Sequence, residues 1–158
     1  MPQFVLLVLL AALGLSPAAY ATPQDCLDPD QVIRLEGQIE VNNWTTNYGC
    51  TSVQGKLFIQ DASASAVTDL TPLSTLTNID NTLLLGSGIG LSALTSLSGL
   101  ENITSVGRLN IVKMPLLSDI SALSNLSTLS CSLSVSTGCE SALFIQDAPQ
   151  LTDISALG

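Results

Sequence analysis

The chain of 158 residues has no histidine, only four lysines and arginines, and no Cys-x-x-Cys pair. Without histidine, Ser-His-Asp and Cys-His catalytic arrangements are excluded. Without paired cysteine spacing, the four cysteines do not resemble a metal site. Four cationic side chains against thirteen carboxylates leave a formal net charge of −9. That balance argues against nucleic acid and anionic membrane surfaces as partners, because both select basic patches. Past Leu15, polar residues recur every two or three positions, so no later segment is apolar enough to span a bilayer.

What is present begins with an address. Phe4 to Leu15 is a short apolar run, followed by Ser16-Pro17 and the small-residue triplet Ala19-Tyr20-Ala21. This is the layout of a signal peptide over residues 1–21, with the amino terminus as its only positive charge. The run falls short of the roughly 20 residues that a membrane anchor needs. The mature chain is expected to be secreted or displayed at the cell surface, as one small domain with a modest core. Cys26, Cys50, Cys131 and Cys139 are an even number in a secreted chain, so two disulfides are expected.

Residues 57–157 repeat one phrase four times. Leu57-Phe58-Ile59-Gln60-Asp61-Ala62 returns as Leu143-Phe144-Ile145-Gln146-Asp147-Ala148, and two looser copies start at Leu83 and Leu109. A period of about 26 residues is the mark of stacked units. Each unit opens with an alternating pair (Leu57/Ile59, Leu83/Leu85, Leu109/Ile111, Leu143/Ile145), which predicts a strand with one buried face. Stacking these strands predicts a parallel sheet with an open outer face. A second apolar series follows at spacing three, as in Leu70, Leu73, Leu76 and Ile79. The Ser, Thr, Asn and Gly between them are poor helix formers, so extended or turn corners are expected there. Residues 22–55 read as an N-terminal cap, stapled by a Cys26–Cys50 bridge; within it, 31–41 fits either a first strand or a capping helix. Residues 56–158 are the repeats. The stretch from Leu129 to Leu143 is about ten residues longer than its counterparts and holds Cys131 and Cys139. A local Cys131–Cys139 bridge is preferred there, with Cys26–Cys131 plus Cys50–Cys139, or the crossed pair, as alternatives. Gly158 falls within a unit, which suggests a truncated chain with a further C-terminal domain.

The outward strand positions are the candidate binding surface. Lys56, Phe58, Gln60, Leu84, Arg108, Asn110, Phe144 and Gln146 combine apolar side chains with polar neighbours, as protein-binding surfaces do. The acidic columns, Asp61/Ser87/Lys113/Asp147 and Asp69/Ser96/Asp119/Asp153, are interrupted by Ser or Lys and so do not converge as calcium ligands. They read as turn-capping aspartates. No metal, cofactor or catalytic residue is expected. Asn43, Asn102 and Asn125 head acceptor sequences for N-glycans.

The run Cys50-Thr51-Ser52-Val53-Gln54-Gly55-Lys56-Leu57-Phe58-Ile59 resembles the opening of receptor L domains, found in growth-factor and insulin receptor ectodomains and in fungal cell-wall proteins. Residues 94–111 are similar to the repeat in microbial proteins of that group. Leu116–Leu123 and Leu151–Leu157 also resemble internalin-type leucine-rich repeats, although those run at about 22 residues per unit. The L-domain resemblance implies a mainly β, right-handed parallel β-helix-like solenoid of about four rungs in an extracellular setting. It also implies a non-catalytic recognition or adhesion role toward a protein or glycan. The closing cysteine of the L-domain pattern is absent and the Cys loop is extra. A cell-wall spacer is the first alternative, and a carbohydrate-active enzyme on a β-helix is the second.

Overall fold

The computed structural model describes residues 23–130 and 141–158. The expected signal peptide, Cys131 and Cys139 lie outside them. The described chain is mainly β, and seven strands share one parallel sheet that does not close on itself. They are β1 (Val32–Glu36), β2 (Ser52–Val53), β3 (Lys56–Gln60), β4 (Asn78–Leu85), β5 (Ser105–Val112), β6 (Thr128–Leu129) and β7 (Leu143–Gln146).

The alternating pairs form the strands, and their register follows the expected columns. Ile33 pairs with Leu57, Leu57 with Leu83, Leu83 with Leu109 and Leu109 with Leu143. Leu35, Ile59, Leu85, Ile111 and Ile145 form a second column in the same way. Leu57, Ile59, Leu83, Leu85, Leu109 and Ile111 have no exposure at all. Each such side chain contributes about 1.5–3 kcal/mol on burial, and the return segments add a second sealed series that includes Leu70, Leu73, Leu97, Leu100 and Leu123. The strand in 31–41 is real and adds a fifth rank, so the sheet starts at Val32, upstream of residue 56.

A shorter ladder runs beside the first. Val53 pairs with Ile79, Ile79 with Val106 and Val106 with Leu129. β4 and β5 belong to both ladders, and between them the register slips: Asp80 and Asn81 of β4 stand against Gly107 of β5. Two residues opposite one is a bulge. A Cβ at Gly107 would overlap the Asp80 and Asn81 carbonyls, so only glycine fits.

The return segments correct one expectation. Thr71–Leu73, Ser121–Asn125 and Ser155–Leu157 are 3-10 helices, the form that spacing three suggests and that the helix-poor composition had set aside in favour of extended or turn corners. Side chains at i and i+3 eclipse in a 3-10 turn, so spacing three carries Leu70, Leu73 and Leu76 inward together, all fully buried. Low helix propensity matters little over one turn that tertiary packing holds. At Leu97–Leu100 the chain bends without a helix, closed by Leu100 N–H donating to the Leu97 carbonyl at 3.1 Å.

The abundant hydroxyls tie the ranks together. The N–H and hydroxyl of Thr77 both donate to the Thr51 carbonyl, at 2.7 and 3.0 Å. Thr104 does the same to Thr77 and Ser127 to Thr104. Each carbonyl thus fills both lone pairs inside the fold.

The N-terminal end is covered by a 3-10 turn (Pro23–Leu27) and two helical turns, Gln38–Asn42 and Trp44–Asn47. Val41 and Trp44 are fully buried, and Trp44 stacks on Tyr48 with ring centroids 5.1 Å apart. The Cys26–Cys50 disulfide joins this cover to the entry of β2. A disulfide of this kind belongs to an oxidising compartment. Among the described residues, no helix is long and apolar enough to cross a membrane.

Candidate functional site

The outer face of the sheet is set by the same alternation that buries the leucines. With β1 included, its central column reads Arg34, Phe58, Leu84, Asn110 and Phe144 in direct register. On one side lie Val32 beside Lys56, and Thr82 beside Arg108; on the other, Glu36 beside Gln60, and Val112 beside Gln146. The structure therefore brings all eight predicted residues onto neighbouring positions of one face.

Their exposures differ. Phe144 is 45% exposed, whereas Phe58 and Leu84 are half-buried. The cause at Phe58 is Arg34, whose guanidinium carbon lies 4.8 Å from the ring centroid. This cation–π contact shields the ring and fixes the guanidinium on the face. Gln60 Nε2 donates to the Glu36 carboxylate at 3.1 Å, bracing the same two strands. Arg108 is engaged in an interaction of its own. Asn110 Oδ1 is buried with no hydrogen-bond partner among the described residues. Arg34 and Glu36 were not among the predicted residues; the alternation of Ile33 and Leu35 was the signal that would have placed them outward.

The carboxylates occupy other places. Asp69, Asp119 and Asp153 each accept the backbone N–H two residues on, from Thr71, Ser121 and Ser155, all at 2.8 Å. They cap the 3-10 turns as the turn-capping reading expected. The backbone hydrogen bond from Ser121, with the Ser121 and Ser96 hydroxyls, holds Asp119 below its ordinary value. Ser155 holds Asp153 below its own in the same manner. Asp119 and Asp153 line one cleft of about 140 Å³. Sugar hydrolysis by a carboxylate pair needs one member protonated near neutral pH, and both members here are held ionised.

Asp61 is different, being only 5% exposed. Its Oδ1 accepts the Val67 N–H at 2.8 Å; its Oδ2 accepts the Ser92 N–H at 2.8 Å and the Ser92 hydroxyl at 2.7 Å. It clamps the loops that leave β3 and β4. Among the described residues, no three Cys, Asp or Glu side chains are grouped to hold a metal ion.

Of the three glycan acceptor asparagines, Asn43 stands exposed ahead of the second helical turn. Asn102 Nδ2 donates to the Ser74 carbonyl at 2.7 Å, and Asn125 Nδ2 to the Glu101 carbonyl at 2.9 Å. In both, the nitrogen that would carry a sugar already ties one rank to the next.

No protein-family model, curated protein or solved structure matches this chain.

Proposed function

We propose that this chain is a non-catalytic recognition module, secreted or held at a cell surface, which binds an extracellular protein or glycan through the outer face of its sheet. The reading treats the ranks as turns of a right-handed, L-domain-like solenoid, whose inward columns make a rigid back for that face. The observation that carries it is the central column. Arg34, Phe58, Leu84 and Phe144 are aligned across four strands, and arginine and aromatic side chains are the residues enriched at interface hot spots. Nothing in the carboxylate arrangement supports chemistry instead. A cell-wall spacer remains the second reading, favoured by the hydroxyl ladder that ties successive ranks along the return side.

The test presents the mature domain and its Phe58→Ser/Phe144→Ser variant, in parallel, to a glycan array and a displayed peptide library. Ligands retained by the wild type and lost at least about tenfold by the variant are expected. Equal retention by both proteins overturns the assignment of the face, and no retention on either display favours the spacer.

A further inference from the structure

Two of the three N-glycan acceptor sequences have another cause in the fold. In Asn102-Ile103-Thr104 and Asn125-Leu126-Ser127 both polar groups serve the stacking. The asparagine amides donate to the Ser74 and Glu101 carbonyls. The Thr104 hydroxyl donates to the Thr77 carbonyl and the Ser127 hydroxyl to the Thr104 carbonyl, each at 3.2 Å. One rank earlier the same column reads Thr75-Leu76-Thr77, which is no acceptor, yet the Thr77 hydroxyl makes the equivalent bond to Thr51. Stacking by itself therefore accounts for a polar side chain and a hydroxyl two residues apart on these ranks.

Asn43-Trp44-Thr45 has no such cause, since it lies in the N-terminal cover and outside the repeats. Asn43 and Thr45 are exposed, and the Asn43 side chain makes no cap to the second helical turn. Among the described residues no hydrogen bond holds either side chain. One turn earlier stands Ile39, 68% exposed, the barest of the large apolar side chains described. The Asn43 N–H donates to the Ile39 carbonyl at 3.1 Å, which puts the two residues one above the other on one helical face. Cβ atoms tilt toward the N-terminal end of a helix, so the Asn43 amide leans toward that isoleucine.

We infer that Asn43 is the N-glycosylation site of this chain, with the first sugar ring lying over Ile39, and that Asn102 and Asn125 stay unmodified in the folded protein. The inference rests on the secreted setting proposed above and is independent of the binding face. The donor is an oligosaccharide joined to a lipid through a diphosphate, and a transferase of the secretory pathway supplies the base. The bond from Asn43 Nδ2 to sugar C1 forms as the C1–O bond to the diphosphate breaks. The lipid diphosphate leaves with that electron pair, and one amide proton passes to the base. The C–H face of a pyranose then covers apolar surface that the fold leaves bare. At Asn102 or Asn125 the sugar would be wedged into the joint between ranks, and the Ser74 or Glu101 carbonyl would lose its donor.

The experiment expresses the full chain in cultured eukaryotic cells and maps glycopeptides of the folded, secreted protein by mass spectrometry. One glycan is expected, on the peptide holding Asn43, with unmodified Asn102 and Asn125. Asn43→Gln is expected to lose that glycan entirely. Thr45→Ala, which removes the acceptor hydroxyl and leaves the asparagine, should lose it as well and serves if the first variant does not fold. The unglycosylated variants are expected to bind anilinonaphthalene sulfonate more strongly than the wild type, and adding Ile39→Ser should remove the excess. Secreted protein without sugar at Asn43, or folded protein carrying sugar at Asn102 or Asn125, overturns the inference. Equal dye binding with and without the glycan overturns the cover over Ile39. Chain found only inside the cell and free of sugar overturns the secreted setting, and this inference with it. Loss of aromatic-dependent ligands on the display libraries is a separate result and touches only the binding reading.

Discussion

Residues 57–62 and 143–148 are the same six letters, and the structure gives them different lives. Leu57 and Ile59 are wholly buried, while Leu143 and Ile145 keep partial exposure. Phe58 lies half-buried under Arg34, while Phe144 is 45% exposed. Asp61 is buried and holds two loops, whereas Asp147 is exposed with a left-handed φ of 57°. The direction in which each side chain points is the same in both copies. What changes is the company: β3 has β1 on one side and β4 on the other, while β7 pairs only with β5 among the described strands. A hexapeptide encodes facing, and its neighbours decide how much that facing is worth.

The comparison breaks most visibly at the inward leucines. Leu57→Asp places an unpaired charge in a closed column and is expected to abolish the cooperative melt. Leu143→Asp is expected to leave a measurable transition, lowered but cooperative. Equal loss in chemical denaturation would mean that the two ranks are equally sealed. The milder pair Leu57→Ala and Leu143→Ala should separate by about 2 kcal/mol, with Leu57 near the cost of a full core truncation.

A smaller contrast concerns the aspartates. Asp61→Ala strands the N–H groups of Val67 and Ser92 and is expected to cost about 1–3 kcal/mol. Asp147→Asn, which keeps a side chain that tolerates the left-handed φ of 57°, is expected to change stability by less than about 0.5 kcal/mol, as an exposed substitution does. Matching urea midpoints for the two variants would refute the difference in role.

The smallest effect lies at the turn caps, which both ends of the molecule share. Asp119 and Asp153 have folded-state pKa values below the ordinary 3.8. A depressed carboxylate stabilises the fold above its unfolded value and loses that contribution as pH falls through the folded one. The thermal midpoint is therefore expected to fall below about pH 4, and Asp119→Asn/Asp153→Asn should flatten that fall. Since both groups are fully exposed, an unchanged slope in the variant would assign acid sensitivity to other groups.

Much of this arrangement was readable before any coordinates. The columns of Leu57, Leu83, Leu109 and Leu143, the outward set from Lys56 to Gln146, the Cys26–Cys50 staple and the capping role of Asp69, Asp119 and Asp153 all follow from period, spacing and residue chemistry. The 3-10 turns, which spacing three suggests, were set aside for extended or turn corners because propensity reasoning weighs a residue alone, while a single turn is held by leucines packing from three positions at once. Arg34 was missed because the first strand lacks the repeated phrase that marked the others. The bulge opposite Gly107 leaves no trace in alternation, since it depends on how two strands of unequal length meet.

The amino-acid order by itself determined the facing of side chains, because a two-residue period can put leucines on only one side of a strand. It also determined where the chain turns, through aspartates that bond their own backbone. Tertiary structure alone decided depth: which of two identical hexapeptides is sealed, and which aspartate becomes a clamp. It alone set an arginine over Phe58. Facing is a property of the local backbone, whereas burial and contact depend on what other strands bring alongside.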